Sequence, residues 1–237
     1  MNFSKIKKKV SFILTTFNEV SYVTDTINII LEKINPYEII IIDDGSTDGT
    51  LNLIKKIQDK RVKLFVRESK LGLSSAITMG INKSSGSIIC WMDTGMNYLL
   101  DKYLEGIKLC DNDNKIIILS RYIPNGSDER VLVRKFSSYL INKFCKVILK
   151  VKFNDFTSGL FIISKALMMK YPIMNSIHGE FTIEHIYRLN KNGVNLIEIP
   201  YNHLNLNEEN STSFKNLFDF IRLGFFYMLF TLKTKFK

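Results

Sequence analysis

Asp93 ends the apolar run Ser87-Ile88-Ile89-Cys90-Trp91-Met92, and Gly95 lets the backbone turn two residues later. A carboxylate at the end of a buried strand faces the crevice where open α/β sheets bind their ligands. A second acidic pair, Asp43-Asp44, follows four isoleucines and precedes Gly45-Ser46. Aspartate there can accept hydrogen bonds from a nucleobase or ribose, and Gly45 permits close approach; the competing reading is an Asx-type turn before the next helix. Among the chain's many cations are Lys70, in a loop, and Arg121 and Arg134, in the second half. Arginine offers a planar, permanently charged fork that matches phosphate. The plainer readings are a solvated loop lysine for Lys70 and a solvated helix face or lipid contact for Arg134. If a hydroxyl had to be deprotonated, Glu184, and after it Glu180, are the candidate bases. Both also read as ordinary helix-surface acids.

These residues need a scaffold. Residues 10–15, 38–42, 62–66, 87–92 and 115–119 are short apolar runs that read as strands, and the all-isoleucine stretch after Glu38 suits a strand covered on both faces. Between them lie helical patterns. The first carries Val23, Ile27, Ile30, Leu31 and Ile34 on one stripe, with Ser21 as its expected N-cap and Pro36 as its stop. Others run from Thr50 through Ile57, over 73–83 and over 99–110. Strands alternating with helices argue for a mostly parallel α/β sheet with right-handed crossovers. The second half is less regular: a turn at 124–127, an amphipathic helix over 131–150, a loop at 154–159, a strand at 160–163, a helix over 180–190 and a strand at 194–199. A polar loop at 202–213 leads to an aromatic-rich segment, 214–232, followed by Lys233, Lys235 and Lys237.

With 237 residues, 46% of them apolar and 24% charged, the chain fits one large globular domain or a domain with an appendage. The balance of 33 basic against 23 acidic residues, +10, suits an anionic partner or a solvated basic surface. Cys90, Cys110 and Cys145 show no CxxC spacing and read as reduced thiols; His178, His185 and His203 form no HExxH pattern. No secretory leader and no spanning segment is recognised. No nucleic-acid motif is present, and no GxGxxG follows the first strand, which disfavours a dinucleotide-dependent oxidoreductase.

Thr15-Thr16-Phe17-Asn18-Glu19, the string Asp43-Asp44-Gly45-Ser46-Thr47-Asp48-Gly49-Thr50, Lys70-Leu71-Gly72-Leu73, Met92-Asp93 and Asp155-Phe156-Thr157-Ser158-Gly159 together resemble the family-2 inverting glycosyltransferases of GT-A fold. Within them the chain is most similar to the polyprenol-phosphate sugar transferases of the dolichol-phosphate mannose type, from about Val10 to Ser213. The resemblance implies a Rossmann-like sheet flanked by helices. Thr16, Phe17 and Glu19 would hold the nucleobase, Asp44 the base or ribose, and Lys70 the pyrophosphate. Asp93 matches the first acid of the DxD motif, which holds Mg2+ or Mn2+ against the diphosphate; Gly95 replaces the second acid, and Asn97 falls where a further oxygen ligand is expected. Arg121 and Arg134 would place an anionic acceptor, with Asp155, Thr157 and Ser158 along the acceptor-side loop. Ser211 matches the family's serine in the loop over the diphosphate, whereas Leu206 and Glu209 stand where arginine and glycine are usual.

The resemblance thus implies an inverting glycosyltransferase, moving a sugar from a GDP- or UDP-linked donor to a polyprenyl phosphate at the cytoplasmic face of the cell membrane. Residues 1–213 form its catalytic domain, and 214–237 an amphipathic helix lying in the interface. An apolar helix ending in lysines suits an anionic bilayer. The competing reading packs that helix on the domain or at a homodimer interface. Two other functions stay open: a family-2 transferase acting on a saccharide hydroxyl, with Glu184 as base, and a non-catalytic nucleotide-binding homologue, motivated by Gly95.

Overall fold

The isoleucines of the strand Glu38–Asp43 show why a parallel sheet forms here. Each is fully buried; Ile39 and Ile41 pack to one side, Ile40 and Ile42 to the other. A computed structural model describes residues 8–69, 71–110, 114–176, 178–205 and 217–236. Its strands are β1 (Val10–Thr16), β2 (Glu38–Asp43), β3 (Val62–Val66), β4 (Ile88–Trp91), β5 (Lys115–Ser120), β6 (Ser127–Asp128), β7 (Phe161–Ser164), β8 (Asn195–Pro200) and β9 (Asn202–His203). Its helices are α1 (Val23–Lys33), α2 (Thr50–Lys55), α3 (Leu73–Lys83), α4 (Leu100–Leu109), α5 (Leu132–Leu149), α6 (Lys165–Lys170), α7 (Phe181–Lys191) and α8 (Leu217–Lys235).

The main sheet has the order β3-β2-β1-β4-β7-β5-β8. All its pairs are parallel except those of β7, which runs antiparallel between β4 and β5, with Trp91 opposite Phe161 and Ile118 also opposite Phe161. The mostly parallel α/β architecture agrees with the sequence. The reversed strand does not follow from periodicity, because an apolar run of four carries no direction. Nor do β6 and β9, a two-residue ribbon pairing Ser127 with Asn202 and Asp128 with His203.

Side chains divide into two cores. Phe12, Leu14, Ile39, Ile41 and Cys90 meet Val23, Ile27, Tyr103 and Ile107 of α1 and α4. Ile13, Ile40, Ile42, Ile89 and Trp91 meet Ala76, Ile77, Leu149, Ile183 and Ile186 of α3, α5 and α7. Helix α4 comes so close to the sheet that a Cβ on Gly106 would lie 2.5 Å from Ile162 Cδ1.

Helix α1 corrects one local expectation. It starts after Tyr22 with no side-chain cap, so Ser21 does not cap it. The amides of Tyr22 and Val23 instead bond to the Glu19 carbonyl at 3.1 and 3.0 Å, a backbone turn that provides the acceptor a serine would have supplied.

Helix α8 packs against α5 and α7. Thr231 is buried with its Oγ1 3.3 Å from Cys145 Sγ. Its outer face leaves Phe225, Phe226, Leu229 and Phe236 exposed. The same holds for α5, whose Leu132, Val133, Phe136, Tyr139, Leu140 and Val147 are exposed, with Leu132 at 80%. Among the described residues no helix is long and apolar enough to cross a membrane.

Inside α7, His185 is buried with Nε2 2.9 Å from the Tyr171 carbonyl oxygen. That oxygen can only accept, so the proton of the neutral ring sits on Nε2. Burial, and secondarily the Arg188 charge, depress its pKa to about 4. The unfolded chain then binds this proton from pH ~6.5 downward while the fold resists it until about 4, so His185 subtracts up to about 3 kcal/mol as pH falls through that window. Chemical denaturation at pH 7.5 and at pH 4.5 should show His185→Gln losing less stability on acidification than the parent; equal losses would disprove the assignment.

Candidate active site on the carboxyl edge of the sheet

Parallel strands bring their carboxyl ends to one edge, and the reversed β7 starts there. Thr16, Asp43 and Asp44, Asp93, Arg121, and the 154–159 loop that enters β7 therefore share that edge.

The first loop and the Asp43–Thr50 string are stitched together. Thr16 Oγ1 donates to Asp43 Oδ2 at 2.7 Å; Asp43 also accepts from the Gly45 and Ser46 amides and from Ser46 Oγ. Asn18, with φ at 58°, donates its amide to Ser46 Oγ and accepts from the Thr47 amide. The Glu19 amide reaches Thr50 Oγ1, and the Val20 amide reaches Asp48. Both readings of the string thus have a residue: Asp43 is the turn-forming Asx residue, and Asp44 points elsewhere. The Thr16 hydroxyl is held within this network, while Phe17 and Glu19 stay half-buried in the loop.

Asp44 has a partner that the sequence did not suggest. Arg67, just past β3, grips it with Nε–Oδ1 at 2.6 Å and Nη2–Oδ2 at 2.7 Å, and its Nη1 donates to Ser75 Oγ at 2.6 Å. Both side chains are nearly buried. The pair fixes the β2 end against the loop that opens α3. An arginine one residue past a strand, opposite an acid ending the neighbouring strand, was the available signal.

Asp93 is different. Tyr103 O–H donates to the Trp91 carbonyl and anchors the end of β4. Asp93 to Met96 then form a turn closed by Met96 N–H to Asp93 O at 3.4 Å, with Gly95 at φ 81° and its amide on Thr26 Oγ1 at 2.9 Å. Positive φ at the third position is the type II pattern, which favours glycine. The turn that presents Asp93 therefore favours Gly95 at the position where the resemblance expects a second acid. A Cβ there would meet only the Tyr22 ring at 3.5 Å, so conformation rather than space opposes a side chain. Among the described residues no donor or cation reaches the Asp93 carboxylate, in contrast to Asp43, Asp44, Asp48, Asp128 and Asp155. It is half-buried, and the surrounding protein desolvates it and raises its pKa to about 6. Glu19 rises to about 7, mainly by burial, against a lowering hydrogen bond from Thr94 and with further raising by Asp93 and Asp48.

Arg121 is not open to a ligand. Its Nε and Nη2 grip Asp155 at 2.8 and 2.7 Å, Nη2 also reaches Thr157 Oγ1 at 2.9 Å, and Nη1 lies 3.6 Å from Asp128. Its side chain is 2% exposed and that of Asp155 is fully buried. Arg130 holds Asp128 from the other side at 2.8 and 2.6 Å, and Tyr122 O–H donates to it at 3.0 Å. These contacts keep the Asp128 carboxyl well below the usual range despite its burial. The resemblance expects Arg121 and Asp155 beside an acceptor; here two carboxylates and Thr157 occupy the guanidinium. Asp128 and Arg130 were missed; an acid ending a two-residue strand with an arginine two residues on was the only clue. Thr157 also accepts from Asn142 Nδ2 at 2.9 Å, and Ser158 lies beside it, half-buried.

Arg134 lies in the first turn of α5, half-buried, and Asn97 opens the short 3-10 turn after Gly95. Glu184 is paired within α7 to Arg188 at 2.8 Å, and Arg188 also bonds the Pro172 carbonyl. Among the described residues no group of the Asp93 edge is among the partners of Glu184. Glu180 is buried and accepts from the His178 amide. Lys70, Leu206, Glu209 and Ser211 lie outside the described residues.

A mostly parallel sheet with an inserted reverse strand, and an acid turn at its carboxyl edge, define a Rossmann-like α/β protein. The family model of glycosyl transferase family 2 matches residues 11–171, and the chain belongs to that family. The dolichol-phosphate mannosyltransferase of Pyrococcus furiosus is 29% identical over 230 residues, covering 90% of this chain. The chain spans 62% of that relative's length. The polyprenol monophosphomannose synthase of Mycolicibacterium smegmatis is 25% identical, over 79% of this chain and 74% of its own. Glucosyl-3-phosphoglycerate synthase of Mycobacterium tuberculosis, crystallised with Mn2+, UDP and phosphoglyceric acid, superposes with a TM-score of 0.72 at 17% identity, covering 98% of this chain and 80% of its own. This last likeness establishes the GT-A-type fold.

Proposed function

We propose that the chain transfers a sugar, with inversion, from a GDP- or UDP-linked donor to a polyprenyl phosphate at the cytoplasmic face of a membrane. The observation that carries this reading is Asp93: a strand-end carboxylate that no described residue pairs, beside the preorganised loop of Thr16, Phe17 and Glu19. Family membership and the names of the two sequence relatives support it.

Among the described residues no three Asp, Glu, His or Cys side chains come together to hold a metal unaided, so a divalent ion here would share its shell with the diphosphate. Mg2+ is commonly held by one or two carboxylates together with phosphate oxygens, and Asp93 with the Asn97 amide oxygen meets that minimum. When bound, Mg2+ or Mn2+ would neutralise charge on the departing diphosphate. Asp44, steadied by Arg67, accepts from the base or ribose, and Lys70 adds positive charge at the pyrophosphate. A phosphate oxygen of the acceptor attacks the anomeric carbon from the face opposite the leaving diphosphate. Because that oxygen is already anionic, no protein base is required. Arg134 orients it, Arg121 and Asp155 hold Thr157 and Ser158 in place, and Ser211 belongs to the loop covering the diphosphate. Residues 1–213 form the catalytic unit. The exposed apolar faces of α5 and α8, flanked by lysines, lie on the bilayer and bring a lipid acceptor to the edge.

The saccharide-hydroxyl alternative needs a base, and the Glu184–Arg188 pair does not favour it. Incubation with GDP- and UDP-hexoses, polyprenyl phosphate and Mn2+ should yield a sugar-phosphate-linked polyprenol and free nucleoside diphosphate. Turnover on a saccharide alone would replace this reading with the alternative. No turnover with any donor would leave a nucleotide-binding homologue.

A further inference from the structure

Beside the Arg121 network, a concave pocket opens between α5 and the segments that follow β5 and α5. Tyr122, Tyr139, Asn142, Lys143, Lys146 and Asn154 line it, around a cavity of about 140 Å³. We propose that it binds a phosphate ester, the headgroup of an anionic lipid, as a site separate from the reacting edge.

Its chemistry is cationic and aromatic. Lys146 Nζ donates to Asn154 Oδ1 at 2.7 Å, which leaves two N–H donors. Lys143 sits over the Tyr139 ring, 4.9 Å from its centroid. Among the described residues neither lysine has a carboxylate partner, although exposed lysines here do find acids elsewhere, such as Lys33 with Asp101. Two acids border the pocket: Asp128 accepts from Tyr122 O–H at 3.0 Å and is gripped by Arg130, and Glu198, behind Asn154, accepts from the Asn154 side chain at 2.7 Å and from the amides of Asn154 and Asp155. Those last bonds aim Asn154 Oδ1 at Lys146, and both carboxylates are occupied. Asn142, almost fully buried, is satisfied by Ser138, Thr157 and the Phe156 amide, so this wall is built rather than incidental. The two tyrosine rings, 6.1 Å apart and edge to face, supply apolar sides.

Position names the ligand. Tyr139 and Lys143 alternate along α5 with the exposed Phe136, Leu140 and Val147, so the pocket opens beside an apolar stripe. A molecule with a phosphate head and hydrocarbon tails satisfies both features; an isolated phosphate satisfies only the first. The lipid part of this inference rests on the membrane reading above.

Two measurements separate the cases. Sedimentation of the full chain with vesicles of phosphatidylcholine, alone or with phosphatidic acid, measures the anionic increment. Lys143→Gln/Lys146→Gln should lose that increment by roughly tenfold or more while keeping neutral-vesicle binding, on the scale of about 1 kcal/mol per lysine at a charged surface. Lys135→Gln/Lys150→Gln removes the same charge from α5 and its C-cap, outside the pocket, and should lose markedly less. Equal losses in the two variants would overturn the pocket. Titration with glycerol 3-phosphate and with inorganic phosphate, followed by calorimetry, tests the headgroup without any membrane. Saturable binding that disappears in Lys143→Gln/Lys146→Gln supports the site even if vesicle binding fails altogether, which would refute only the membrane reading. No binding of either phosphate refutes the site. Selective binding of inorganic phosphate over the ester refutes the lipid headgroup.

Discussion

Asp93→Asn is expected to abolish the proposed sugar transfer, with turnover falling by three orders of magnitude or more, while the fold persists. The substitution keeps the shape of the side chain and removes the charge. A desolvated acid with a raised pKa is, if anything, relieved by neutralisation, so stability should hold or rise slightly. The loss then belongs to chemistry: without the carboxylate, nothing at the β4 end anchors a cation against the diphosphate, and electrostatic help of that kind is worth several kcal/mol of barrier. Calorimetry with UDP or GDP should show that Mn2+ no longer strengthens nucleotide binding. The companion change Gly95→Asp adds a second carboxylate at a position of φ 81°, so it should tighten Mn2+ binding at a cost of about 1 kcal/mol in stability. Full turnover in Asp93→Asn would remove Asp93 from the mechanism.

The second large effect is structural. Arg121→Ala leaves Asp155 fully buried without its bidentate partner, and half of a broken buried pair costs about 3–5 kcal/mol. For a domain of ordinary stability that is a large share of the total. Urea unfolding should show the midpoint dropping sharply, or little folded protein. The double variant Arg121→Met/Asp155→Leu should recover much of the loss, because two apolar groups leave no stranded charge. If Arg121→Ala were stable but failed to bind acceptor, the guanidinium would be a ligand group and the positioning role given to it would be abandoned.

These two residues show how far the sequence reached. The strand ends, the alternation with helices and the Asp93 turn could all be read from apolar runs and glycine positions, since burial on both faces demands continuous hydrophobic strands. Arg121 was legible as an important cation and illegible as a buried one: its partners come from residues 128 and 155, and no local pattern reports pairing over such distances. The same limit hid Arg67 behind Asp44. For Glu184, helical spacing already offered Arg188 four residues on, and that pairing is what formed. The two-residue β6 and β9 and the direction of β7 are settled by tertiary pairing alone.

That direction of β7 also sets an order of assembly. β1 to β4 are neighbours in the sheet and complete by residue 91, so the half that carries Asp44 and Asp93 can close early from the growing chain. β5 follows in sequence yet has no place beside β4, because β7 must enter the gap between them. The other half therefore waits for residue 164, and β8 completes its pairing with β5 only at residue 200. A destabilised variant would be expected to open from the β7–β5–β8 side first, releasing the Arg121–Asp155 side of the crevice while the nucleotide side stays formed; hydrogen exchange resolved along the chain would display that gradient.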